Sequence, residues 1–185
     1  MNTEFTQEDN LILQSYIIIS LLSELQSNNL LSSEYFEGMT FGMRWIKDEL
    51  RSSGSIGNRG CALIALYAML VIPRELVREQ FSAEYAEIDD FLKNCAQDTK
   101  TTYKCDDYDP STAQYLWHIR NAVAHARVSF QSNGAVLFTD EKISKNKIES
   151  FSTELSFQNL NELLNQLQKV HLKYIEKIQT RGVTS

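Results

Sequence analysis

Apolar residues at Leu160, Leu163, Leu164, Leu167, Val170, Tyr174, Ile175 and Ile178 recur at spacings of three and four near the end of the chain. Only an α-helix brings such residues onto one face, and a stripe this long needs other packed elements to cover it. The same period recurs upstream. Thr6 and Asp9 form a capping-box pattern ahead of Leu11, Leu13, Ile17, Leu21 and Leu25, which predicts a helix buried on most sides. A second periodic stretch runs from Glu34 to Leu50, where Gly38 and Gly42, four apart, suit close helix packing or a contact between copies.

Further helices are expected over Cys61 to Leu70, after Pro73, and from Ser82 to near Ala96. Asp109 before Pro110 reads as an N-cap followed by proline at the first helical position, opening a helix to about Ala126. Asp106, Asp107 and Asp109 beside Cys105 suit that helix start better than a cation site. Beyond the helix, Val128 to Phe130 and Ala135 to Phe138 flank Ser132-Asn133-Gly134, a strong hairpin signal. Alternation at Phe151, Thr153, Leu155 and Phe157 offers a third strand. The fold class is therefore mainly α, with a small β-hairpin or three-stranded appendage before a long C-terminal helix.

At 185 residues with 43% apolar composition, the chain is expected to form a single domain over 1–185. Roughly 70% of the surface of an unfolded chain this long can be buried, so the core needs no staples. Three cysteines, Cys61, Cys95 and Cys105, show no metal-ligand spacing, which suits a reducing, cytoplasmic setting and calls for neither metal nor cofactor. Glu4, Glu8 and Asp9 stand where a secretory signal would carry basic residues. The longest apolar runs, Leu11 to Leu22 and Cys61 to Ile72, fall short of the ~20 residues that span a bilayer, so no membrane partner is expected. The segment Ser52 to Gly60 spaces its glycines like a phosphate cradle, but it lacks the lysine of a P-loop and any preceding strand.

The chemistry is concentrated in Leu116 to Arg127, L-W-H-I-R-N-A-V-A-H-A-R. Histidine is the side chain suited to moving a proton near neutrality, and arginine is a permanent cation with several donors for phosphate oxygens. Arg120 and His125 are the candidate catalytic pair, with the Asn121 amide holding ring or phosphate. Arg127, His118 and Trp117 flank them as candidate substrate contacts, the tryptophan by stacking on a base, although a large aromatic beside a core stripe is usually there for packing. Glu75, after Pro73-Arg74, is a weaker candidate to reach the same cleft. On a straight helix Asn121 and His125 share a solvent-facing side, while Arg120 lies about 140° from His125. The reach of the arginine, a loosened helix end, or a second copy across a two-fold axis could bring them together.

R-N-A-V-A-H, late in a helix of a small α bundle, resembles the signature of the HEPN superfamily (higher eukaryotes and prokaryotes nucleotide-binding). The following hairpin and long final helix resemble its toxin-like, plasmid-borne branch. The resemblance implies a homodimer and a metal-independent endoribonuclease that cleaves RNA by 2'-hydroxyl attack, leaving a 2',3'-cyclic phosphate. Arg120 would then bind phosphate, His125 act as acid and base, and Asn121 support them. It also implies a toxin or antiviral-defence role with a possible antitoxin partner. The alternatives are a non-catalytic HEPN module that binds nucleotides or proteins, and a purely structural adaptor.

The formal net charge of -6 does not exclude an RNA partner. Residues 1–50 carry six net negative charges and residues 81–110 five, while the motif helix and C-terminal helix are weakly basic. Binding should therefore be local to one cleft and involve few phosphates.

Overall fold

The computed structural model describes residues 5–53, 59–73, 76–144 and 147–181. Most of the glycine loop, and Glu75, lie outside these. Helix α1 (Gln7–Ser27) opens as its capping box predicts: the Thr6 hydroxyl accepts from Asp9 N–H at 3.0 Å, and the Asp9 carboxylate accepts from Thr6 N–H at 3.1 Å. Its burial differs from expectation. Apolar residues are spread around the helix, yet only Asp9 and Ile12 are buried, while Leu11, Ile17, Ile18 and Leu21 are about half exposed.

The periodic stretch after α1 breaks into α2 (Glu34–Gly38) and α3 (Arg44–Ser53). Met39 is extended, and Lys47 Nζ reaches back from α3 to donate to the carbonyls of Glu37 and Met39, at 2.5 and 3.3 Å, so side-chain donors replace the continuing helix. Neither Gly38 nor Gly42 has another group within 4 Å of where a Cβ would stand, so the pair does not mediate close packing within the chain.

Helix α4 (Arg59–Leu66) runs directly into a π turn over Tyr67–Val71, followed by α5 (Leu76–Gln80) and α6 (Ser82–Cys95). The wide turn has a partner: His171 Nε2, on the last helix, lies 3.0 Å from the Met69 carbonyl and donates to it. His171 is buried, and that burial lowers its pKa from the ordinary 6.5 to about 4.

The remaining elements are β1 (Gln97–Thr101), α7 (Tyr115–Ala124), β2 (Val128–Phe130), β3 (Ala135–Ser144), β4 (Lys147–Ser156) and α8 (Phe157–Arg181). The four strands form one antiparallel sheet in the order β1-β4-β3-β2, one strand more than the sequence pattern offers. The β2–β3 turn is a three-residue loop, with Gln131 N–H to Ala135 carbonyl at 2.8 Å, Gly134 at φ 83° and the Asn133 side chain accepting from Ala135 N–H.

On β3, alternation turns Val136, Phe138 and Asp140 toward the core, opposite Leu155, Thr153 and Phe151 of β4. Helix α7 packs on this face, α6 lies beside α7, and α8 closes the other side against α1, α6 and the π turn. The core is continuous through Ile12, Leu66, Leu92, Ile119, Phe138 and Leu167. Beyond Asp140 the two long strands run on as an exposed arm in which Ile143 faces Ile148. Among the described residues no helix is long and apolar enough to cross a membrane.

Candidate functional site

Helix α7 is shorter at both ends than the sequence suggests. Asp109 caps a turn instead of a helix: its carboxylate accepts from Ser111 N–H at 2.9 Å, and Pro110 to Thr112 stay in that turn. The Thr112 hydroxyl bonds back to the carbonyls of Asp106 and Asp109, while Ala113 is buried, which together hold the chain out of helical geometry until Tyr115. The carboxylate that serves the new N-terminus comes from elsewhere, Asp89 of α6, which accepts from Leu116 N–H at 2.8 Å.

At the other end the helix closes on His125. Ala126 N–H bonds the Val123 carbonyl at 3.2 Å and Arg127 N–H bonds the Ala122 carbonyl at 2.8 Å, the paired bonds of a Schellman turn. Ala126 occupies its left-handed position at φ 55°, where glycine is usual. His125 is therefore the C-cap that follows the last helical residue, Ala124, exposed and oriented by the turn as much as by the helix.

Arg120 and Asn121 are anchored from behind. Arg120 Nη1 donates to Asn121 Oδ1 at 2.7 Å, and Asn121 Nδ2 donates to Asp140 Oδ2 at 3.1 Å. The solvent-facing position expected for Asn121 is thus corrected: it is half-buried and bridges a cation to a buried carboxylate. The same Asp140 oxygen accepts from the Tyr103 hydroxyl at 3.1 Å and lies 2.9 Å from His118 Nδ1. Burial alone would raise the Asp140 pKa; bonds from His118, Asn121 and Tyr103 outweigh it and hold it below the ordinary carboxylate value. Tyr103 moves the opposite way, pushed up by burial and by the neighbouring Asp140 charge.

His118 is fully buried, so the expectation that it touches a substrate is corrected. Its Nε2 lies 2.9 Å from Asp106 Oδ2, and its ring stacks on Phe151 at 4.1 Å between centroids, 5° from parallel. The ring thus bridges two buried carboxylates, one at each nitrogen. Asp106 also accepts from the Thr101 hydroxyl at 2.7 Å. A continuous line of bonds thus joins Thr101, Asp106, His118, Asp140, Asn121 and Arg120. Because Asp106 and Asp140 face opposite ring nitrogens, they do not converge on a common point. Among the described residues no group of three His, Cys, Asp or Glu is arranged to hold a metal ion.

Trp117 and Arg120, one turn apart, line a pocket between α6 and α7. Trp117 is also half-buried and packs edge-on against Tyr103 and His118. Arg127 turns away to β3, donating to the Glu141 carbonyl at 3.0 Å. Within one copy, then, Arg120, Asn121 and Trp117 are brought together, while His125 stands at the helix end and Arg127 on the strand. The sequence reading missed Tyr103 and Asp140, and it assigned to a helix start the Asp106 that is instead buried against His118. For Asp140 there is a signal: it continues the inward alternation of Val136 and Phe138, where an acid is out of place unless bonded.

Comparison with curated proteins gives no match, and comparison with solved structures gives none. One family model does match, that described as HEPN pEK499 p136, and it spans residues 1–178. With that match covering nearly the whole chain, and with a helical bundle around the R-N-A-V-A-H helix, the protein belongs to this HEPN family.

Proposed function

We propose that the protein is a metal-independent endoribonuclease of the HEPN type, working as a homodimer. The observation that carries this reading is the Arg120–Asn121–Asp140 line: an arginine held at 2.7 Å by an amide that is itself held at 3.1 Å by a buried carboxylate. Such an anchor fixes a guanidinium before substrate arrives, which is what stabilising developing charge on a phosphate demands. His125 lies close along the chain, exposed and free to exchange protons with a bound strand.

In the reaction a 2'-hydroxyl loses its proton to a histidine as its oxygen attacks the adjacent phosphorus. The bond from phosphorus to the 5'-oxygen breaks, and that oxygen leaves with a proton from a second acid. The products are a 2',3'-cyclic phosphate and a 5'-hydroxyl end. A dimer that sets two motif helices against each other brings His125 of each copy to Arg120 of the other, and so resolves the separation of Arg120 from His125 within a single copy. A role as a toxin or defence effector held by an antitoxin fits this activity.

The separation also favours a second reading, a HEPN module that binds nucleotides or proteins without turnover. Incubation of single-stranded RNA with the pure protein in EDTA separates the two. Cyclic-phosphate ends that vanish with His125→Ala support the nuclease; activity unchanged in that variant, or saturable binding without new ends, overturns it.

A further inference from the structure

Two surfaces of the chain are left uncovered, and they suit each other. The first lies between α1 and the outer side of α4 with its π turn. Ile18 and Ile19 form one wall, and Ile64, Tyr67, Ala68 and Ile72 the other, around a groove of about 380 Å³. Ile64 is 60% exposed, and Leu11, Ile18 and Leu21, which fall on one side of α1, are each about half exposed. No residue of the motif helix α7 lines this groove.

The second surface is α3. Its pattern is strongly amphipathic, yet it has no buried residue and packs closely on no other helix or strand among the described residues. Its support is a small separate cluster: Phe36 of α2 is buried beside Phe41, with Lys47 and Arg51 over its ring, outside the continuous core. Trp45 is 62% exposed, next to an exposed Met43 whose sulfur takes the indole N–H at 3.2 Å. Grouped apolar side chains in solvent mark a contact surface, and tryptophan is the commonest anchor of one.

Charge selects the pairing. Residues 1–43 hold six acidic side chains and no lysine or arginine, and Glu8 and Glu24 are exposed on α1. Groove against groove sets acid against acid, which is repulsive. Helix α3 carries Arg44, Lys47 and Arg51; Glu37 engages the last two, and Arg44 has no ion pair among the described residues. Area agrees: the half-exposed groove side chains present roughly 400 Å², so two reciprocal contacts bury ~1,600 Å² in all, the size of a standard stable interface. We propose that α3 of one copy seats in the α1–α4 groove of a second copy, and the reverse, with Trp45 as the anchor. Such an exchange closes at two copies. It goes beyond the ribonuclease reading, since no residue of α7 takes part, and the two fail separately.

The full chain with Trp117→Phe keeps Trp45 as its sole tryptophan. Its mass by light scattering and the acrylamide quenching of Trp45 are followed over ~1–100 μM. The expected result is twice the 21.3 kDa of one chain, with Trp45 shielded in step with the mass. Ile64→Glu, at an exposed position, should keep the circular dichroism of the parent and weaken association at least ~100-fold, and Arg44→Glu roughly 10-fold. Mixing Ile64→Glu with Trp45→Ala, each defective alone, should give a mixed dimer, because one intact α3 then meets one intact groove.

A monomer at every concentration overturns the proposal, whether Trp45 is open or is shielded by its own chain. So does a dimer that Ile64→Glu leaves intact, one in which Trp45 stays open to acrylamide, or a mixture that does not associate. Trp45 shielded only on adding phosphatidylcholine vesicles assigns the face to a membrane and overturns it as well. Association without RNA cleavage in EDTA removes the nuclease alone; cleavage by a chain that fails these tests removes the exchange alone.

Discussion

Asn121 stands with its oxygen toward Arg120 at 2.7 Å and its amide nitrogen toward Asp140 at 3.1 Å, so the motif helix and the sheet meet in one half-buried side chain. Reversing the amide would set its nitrogen against the guanidinium and its oxygen against the carboxylate, two repulsive contacts in place of two bonds. The orientation of Arg120 is thus dictated from β3.

The first prediction concerns that dictation. Asp140→Ala removes the acceptor shared by His118, Tyr103 and Asn121 inside the core and is expected to cost about 3–5 kcal/mol, read by urea denaturation. Glu141→Ala, one residue on and exposed, should stay within about 0.5 kcal/mol. Asn121→Ala should cost only about 1–2 kcal/mol while reducing RNA cleavage at least ~10-fold, since it frees Arg120 without emptying the core.

Acid should destabilise the protein in two separate windows. His171 has its folded pKa depressed to about 4, so the unfolded chain binds this proton first. Its contribution is complete above the ordinary 6.5 and is lost as pH falls from there to about 4, by up to ~3 kcal/mol. Asp140 is also depressed, but its contribution is present above the ordinary 3.8 and is lost only at still lower pH. Denaturation titrations from pH 7.5 to 4.5 should show the first slope in the wild type and a flattened one in His171→Gln, whose amide can still donate to Met69.

The turn after the motif can be improved. Ala126 at φ 55° carries a side chain where the left-handed conformation disfavours one, so Ala126→Gly is expected to stabilise by about 0.5–1 kcal/mol despite glycine's greater freedom when unfolded. Ala126→Val should destabilise by about 1 kcal/mol or more. Paired melting curves check both signs.

If each cleft takes its arginine from one copy and its histidine from the other, two dead proteins should rescue one another. Mixing Arg120→Ala with His125→Ala through a refolding step should restore roughly a quarter of wild-type cleavage, because half the dimers are mixed and each of those has one complete site. A site built from one copy alone gives no rescue.

Much of this was legible from the residues. Helical period and the Thr6–Asp9 box located α1; the Leu160 to Ile178 stripe located α8, and Asn133-Gly134 the β2–β3 turn. What escaped has physical reasons. Strand β1, Gln-Asp-Thr-Lys-Thr, is a polar edge strand held by pairing to β4 and a Thr99–Thr153 contact of 2.7 Å, with no apolar alternation to announce it. The start of α7 depends on Asp89, 27 residues upstream, and the anchor of Asn121 on Asp140, 19 residues downstream. Pattern reading sees neighbours in sequence, whereas these groups become neighbours only through the fold.

The same distances set an order of events during synthesis. Arg120 and Asn121 leave the ribosome before Asp140, and Asp140 gains its place only when β4 has paired with β3. A nascent chain carrying the complete R-N-A-V-A-H segment therefore lacks the Asp140 anchor of Asn121 until some thirty more residues have emerged, about the stretch from Asn121 to Phe151. The motif is thus complete in sequence well before its arginine–amide–carboxylate line can form.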